Sequence, residues 1–160
     1  MTVYELLSLV IQALTGAAIV ASFWVYYSQL NALRDGSRAQ NMLAVANYLQ
    51  REDVRTARAF VIRALAAKEY DDWDHADKQQ ASLVCSSFDT ACIFVKNGLY
   101  PMDLFLDTYG PSLTKCYSVL RAFIEDLQQP HNAGPSYWDD FVHLAKRAQT
   151  FIRPAKHVDA

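Results

Sequence analysis

Apolar positions follow two patterns along this chain. From Leu6 to Leu33, 28 consecutive positions carry no Asp, Glu, Lys or Arg. As a helix this run is about 42 Å long at 1.5 Å per residue, whereas a bilayer's apolar core is about 30 Å thick and needs about 20 residues. The apolar part, Leu6 to about Tyr27, predicts a membrane span, and Ser28-Gln29-Leu30-Asn31 its exit into the interface. The alternative is a buried core helix, but such helices rarely stay uncharged for so long. Beyond Leu33 the apolar residues recur at helical spacing between charged ones.

That second pattern predicts helix after helix and no strand. Asp35-Gly36 interrupts the first run or kinks it, and Ser37 is placed to cap a helix to about Gln50 with Met42, Leu43, Val45, Ala46 and Leu49 on one face. Asp53 or a neighbour starts the next helix, through VRTARAFVIRALAAK, with Arg51, Arg55 and Arg58 on one side and Val54, Ala57, Val61, Ile62 and Leu65 elsewhere. Asp74 is the expected cap of a helix from about His75 to Asn97, which Gly98 ends. Pro101 suits the first turn of a short helix to Tyr109-Gly110, and Pro111 opens another to about Gln128. QQPHNAGPS reads as a loop, and after Ser136 a last helix, YWDDFVHLAKRAQTFI, ends before Pro154. The expected architecture is all-α: an anchor and interface over residues 1–35, a cytosolic bundle of about six helices over 36–153, and a tail over 154–160.

The flanks of the apolar run refine the membrane reading. Trp24, Tyr26 and Tyr27 gather at its C-terminal end, with Tyr4 at the other, as rings that favour the headgroup zone do. Only Glu5 precedes the run as a charge, while Arg34 and Arg38 follow it. The positive-inside rule therefore puts the C-terminal domain in the cytoplasm of an inner-membrane protein. A cleaved signal peptide wants positive charge before the apolar run, and none is present. Within the run, Ser8, Thr15, Ser22 and Gln29 are spaced by sevens with Gln12 on the same side, and Ala13, Ala17 and Ala21 line another face near Gly16. Such seams favour helix–helix association in lipid, and a polar seam turned inward can line a pore; alternatively the hydroxyls bond only their own helix.

Charge and cysteine content narrow the remainder. About 125 residues remain after the anchor, enough for one helical domain with its own core. A net charge of −2 argues against an obligate nucleic-acid partner. Seven basic residues face four acidic ones from Arg34 to Glu69, and nine acidic face four basic from Tyr70 to Asp126. A basic segment next to the anchor suits an anionic inner leaflet, and local ion pairs explain it nearly as well. Cys85 and Cys92 are seven apart on one predicted helix and, with Cys116, are expected as buried, reduced thiols.

Candidate chemistry is sparse. His131 and Asn132 sit in the Pro-flanked loop with Tyr137 and Trp138 close behind, a candidate aromatic-walled pocket, although turn capping and core packing account for the same residues. Asp139/His143 and Asp103/Asp107 have the i, i+4 spacing of paired metal ligands but lack a third and fourth. The cluster Asp71, Asp72, Asp74, His75, Asp77 lacks the alternation and glycine of a calcium loop. No nucleophile elbow, phosphate-cradling glycine loop or His-Glu-x-x-His occurs. Arg121 precedes His131 by ten positions and Arg153 precedes His157 by four, outside the Arg–His spacing sought for helical ribonucleases. No catalytic residue, metal or cofactor is expected.

One family resemblance rests on a chain of short motifs. Gln29 and Leu30 lead to Arg38 and Asn41; Tyr48-Leu49 precede the helix start Arg55-Thr56-Ala57-Arg58. A Cys85/Phe88 helix ends in Lys96-Asn97-Gly98-Leu99, and Tyr137-Trp138, Phe141 and Leu144-Ala145 close the pattern. In this order the chain resembles the bacterial family called domain of unknown function 4760. The resemblance implies a membrane-anchored helical domain with no established activity. In layout alone the chain is also similar to a pore-forming membrane protein that accompanies RNA-targeting CRISPR nucleases, without its nuclease motif. The expected function is a non-enzymatic interaction and oligomerisation module held at the bilayer, with the lipid, further copies of itself and a protein partner as candidate contacts. The alternatives are a membrane-permeabilising effector of phage defence and, after that, a divergent helical nuclease.

Overall fold

The computed structural model describes residues 3–151, and of residues 5–7, 9–11 and 13 the backbone alone. Five α-helices, α1 (Val3–Gln50), α2 (Glu52–Arg63), α3 (His75–Lys96), α4 (Met102–Leu127) and α5 (Asp139–Thr150), are joined by loops and by two 3-10 turns, Leu65–Ala67 and Tyr70–Asp72. No strand occurs among the described residues. Contacts divide the chain into two units between Gln40 and Asn41.

In the first unit α1 runs without a break through Gly36, where the sequence suggests an interruption. A single glycine costs a helix only about 1 kcal/mol relative to alanine, too little to end one this long. Among the described residues no helix is long and apolar enough to cross a membrane. The span expected from Leu6 to about Tyr27 is therefore not recovered there. From Leu14 on, Tyr26, Tyr27, Ser28, Gln29 and Asn31 dilute the apolar residues. The apolar Leu6, Leu7, Leu9, Val10, Ile11 and Ala13 fall outside the described side chains.

The second unit is a helical bundle. α3 and α4 each pack against both α2 and α5 as well as against one another, so α2 and α5 occupy the far corners of a four-helix arrangement. Phe88, Phe105 and Phe141 are fully buried at its centre, where Phe88 and Phe141 stack at 5.5 Å between ring centroids. Val45 and Leu49 from the end of α1 belong to the same core. α3 begins with a reciprocal cap: Asp77 donates its backbone N–H to Asp74 Oδ1 at 2.8 Å, and Asp74 returns its N–H to Asp77 Oδ2. It ends at Gly98, whose φ of 69° lets Leu99 N–H reach Phe94 O at 2.9 Å and Gly98 N–H reach Val95 O at 3.0 Å.

α4 departs most from the pattern read in the sequence. The short helix ending at Gly110 and the new one opened by Pro111 are one helix of 26 residues. The buried positions Phe105, Leu106, Tyr109, Gly110, Leu113, Cys116, Tyr117, Leu120, Phe123 and Ile124 keep a single helical face across the proline. Burial of that face outweighs the roughly 3 kcal/mol that an interior proline costs. Gly110 helps, because the pre-proline clash falls partly on a Cβ it does not have. With this fusion the domain holds, among the described residues, α2 to α5 and the end of α1, five helices where the sequence predicts about six.

Candidate interaction surfaces

The exposed apolar side chains are concentrated in one helix. Of the seventeen large hydrophobic residues exposed among the described ones, thirteen belong to α1 and four (Ile93, Leu99, Leu104, Tyr137) to the rest. Phe23 is 70 % and Trp24 76 % exposed, and Ile19, Val20, Val25, Tyr26 and Tyr27 are exposed around them. At 100° per residue these positions point all round the helix, so no single neighbouring face covers them. An apolar surface of this extent marks a contact with lipid or protein.

The polar seam lies on this helix. Ser22 Oγ donates to its own helix at Ala18 O (2.8 Å), and Gln12 Nε2 approaches Ser8 Oγ at only 3.5 Å, too far for a firm hydrogen bond. A shallow groove on the seam side is lined by Thr15, Ala18, Ile19, Ser22, Phe23 and Tyr26. A second is lined by Gly16, Ala17, Val20, Ala21, Trp24 and Val25. Gln29, Arg34 and Arg38 are exposed. A Cβ added at Gly16 meets nothing within 4 Å.

The loop residues chosen as a pocket are distributed differently. His131 is exposed, whereas Asn132 donates Nδ2–H to Asp126 O at 2.9 Å and so caps the end of α4. Trp138 is buried against Phe123 (5.7 Å) and Tyr137 (4.4 Å), in an aromatic cluster that continues through Trp73 to Tyr70. Trp138 has φ 55° and precedes α5 without capping it. α5 therefore starts at Asp139, two residues later than the sequence suggests.

Two polar groups, Asp89 and Arg58, join helices in roles that the sequence did not indicate. Asp89 on α3 accepts the Phe141 N–H at 3.0 Å, supplying to α5 the cap its own loop lacks. Burial, then the charges of Asp140 and Asp139, push its carboxyl above the ordinary range, against the Phe141 bond. Arg58, half-buried on α2, donates Nη2–H to Leu49 O at 2.9 Å at the end of α1 and lies over the Phe88 ring at 5.8 Å. Burial lowers its pKa. Neither role has a local sequence signature, since the partners are 52 and 9 residues away.

Within the acidic cluster, Asp74 and Asp77 are engaged in structure. Asp77 takes a hydrogen bond from Lys68 Nζ at 2.7 Å in addition to its capping role, and Lys68 holds its carboxyl below the usual range. Tyr70 Oη donates to Asp126 at 2.6 Å, and burial, aided by that bond, raises its pKa to about 12. Among the described residues no three His, Cys, Asp or Glu are grouped to hold a metal ion. Cys85, Cys92 and Cys116 are buried free thiols; burial raises all three pKa values, Cys116 to about 11 in spite of nearby Arg58. Burial and a raised pKa both disfavour the thiolate, the reactive form.

A protein-family model, Domain of unknown function (DUF4760), matches residues 12–148. No curated protein matches the chain, and no solved structure does.

Proposed function

This chain belongs to the DUF4760 family, and from that premise we propose that it is a single-pass inner-membrane protein whose cytoplasmic helical bundle is a non-enzymatic interaction and oligomerisation module. The observation that carries the reading is the concentration of exposed apolar residues on α1, on every side of the helix. One protein partner covers one face; lipid covers all of them. The uncharged run from Leu6 to Leu33 has the length for it, and Arg34 and Arg38 at its far end favour a cytoplasmic domain. Raised thiol pKa values and the capping roles of Asn132, Asp74 and Asp77 support a domain that binds rather than reacts. The Ser22 hydroxyl is satisfied by its own helix at Ala18 O, so association rests on the small residues rather than on that member of the seam.

The small residues at Gly16 and Ala17 let neighbouring copies approach closely within the bilayer. In mild detergent the full chain is expected to be a defined oligomer by multi-angle light scattering. Gly16→Leu is expected to shift it toward monomer. The Gly16 position is open within one chain, so the substitution acts between copies rather than on the fold. A wild-type monomer at all accessible concentrations would leave a plain tether.

A further inference from the structure

The bundle carries a basic ridge on α2 and, at the opposite corner, an acidic first turn on α5, whose far end bears Lys146 and Arg147. Arg51, Arg55, Arg58 and Arg63 accompany α2 against Glu52 and Asp53, and the outward ridge is Arg55, Ala59, Arg63 at i, i+4, i+8, all exposed. Arg51 is paired with Asp53 at 2.6 Å and Arg58 is turned onto Leu49, which leaves Arg55 and Arg63 without an ion-pair partner among the described residues. At the opposite corner the first turn of α5 brings Asp139 and Asp140 beside Asp89 of α3, against one cation, Lys96, bound to Asp140 at 2.6 Å. Asp139 is exposed and has no ion pair among the described residues. Asp140 and Asp139 both raise the pKa of Asp89, while Lys96 lowers it, in keeping with their placement around one turn.

Copies anchored in one bilayer with one orientation are related only by an axis along the membrane normal. More than two of them must meet through two different faces, each copy's first against its neighbour's second. The geometry points to a head-to-tail contact between copies of this domain, in which the Arg55–Arg63 ridge of α2 docks on the Asp139–Asp140 turn of α5 in the next copy. This deepens the oligomerisation proposed above and rests on it. Guanidinium forks on carboxylates give such a contact direction and register, and opposite-sign faces steer it.

The test uses the full chain in phosphatidylcholine nanodiscs, a zwitterionic surface that does not compete for the arginines. Ala59→p-benzoylphenylalanine places a photo-crosslinker on the ridge, and mixing isotopically light and heavy copies identifies crosslinks between chains. Heavy–light crosslinks from position 59 to residues 139–143 are expected. Arg55→Glu with Arg63→Glu should reduce their yield at least about tenfold, since like charges now face each other, and adding Asp139→Lys should restore it. An oligomer that crosslinks elsewhere, only to lipid, or not at all, or whose yield ignores these reversals, overturns the head-to-tail contact alone. A monomer in the nanodisc overturns the oligomer and this contact together.

Discussion

Arg58 shows how one side chain joins two helices at a place where local sequence gives no sign of it. Its guanidinium takes over a carbonyl at the end of α1 that has no intrahelical donor, and its plane covers Phe88. Arg58→Met keeps the stem and removes the charged bond, so it should destabilise the domain by about 1–3 kcal/mol, read as a lower urea midpoint; an unchanged midpoint would contradict the cap. Buried Asp77 and half-buried Asp89 respond to pH with opposite sign. The pKa of Asp77 is depressed in the fold, so its contribution is present above the ordinary carboxylate range and is lost as pH falls through the depressed value. The pKa of Asp89 is raised, so its protonated form suits the fold and its contribution fades as pH rises through the raised value. Asp77→Asn should therefore lower the melting temperature near neutral pH and flatten the acid limb of the stability curve. Asp89→Asn keeps an acceptor for Phe141 N–H and should be neutral or stabilising at pH 7. The reverse order in a pH series of thermal melts would contradict both assignments.

Among the elements, those with local signals were legible. Asp74 and Gly98 mark α3 because a cap needs a side-chain acceptor at one end and a left-handed residue at the other, and both requirements are met within a few residues. The loop before α5 was equally plain from its prolines and glycine. The start of α5 was not, because its cap comes from Asp89 across the bundle and Trp138 takes a left-handed conformation that a bulky residue rarely adopts. α4 was misread as two helices for a related reason. Proline punctuates a sequence strongly, but the buried face from Phe105 to Ile124 continues through it. Pro111 is exposed and contributes no N–H to the ladder, so Pro111→Ala should raise the melting temperature by several degrees. A fall would mean that the proline shapes the groove it lines with Leu106, Gly110, Ala148 and Phe151.

At the scale of the whole molecule, the contacts divide the chain between Gln40 and Asn41, and the bundle that follows has a core of its own, whereas the sequence ends the anchor at residue 35. The helical class and the buried cysteines were readable from periodicity and spacing, and the family from a resemblance in short motifs. The pairing of α2 and α5 at opposite corners was not, since no local pattern encodes which helices of a bundle are neighbours. The account's central claim is that α1 anchors the bundle in a bilayer. It is tested most directly by washing membranes from cells expressing the full chain with alkaline sodium carbonate and assaying pellet and supernatant. Carbonate strips proteins held by charge and leaves those held by an apolar span. The account predicts that the chain stays in the pellet and that Ile19→Asp with Val20→Asp releases it. Wild-type protein in the supernatant would contradict the anchor.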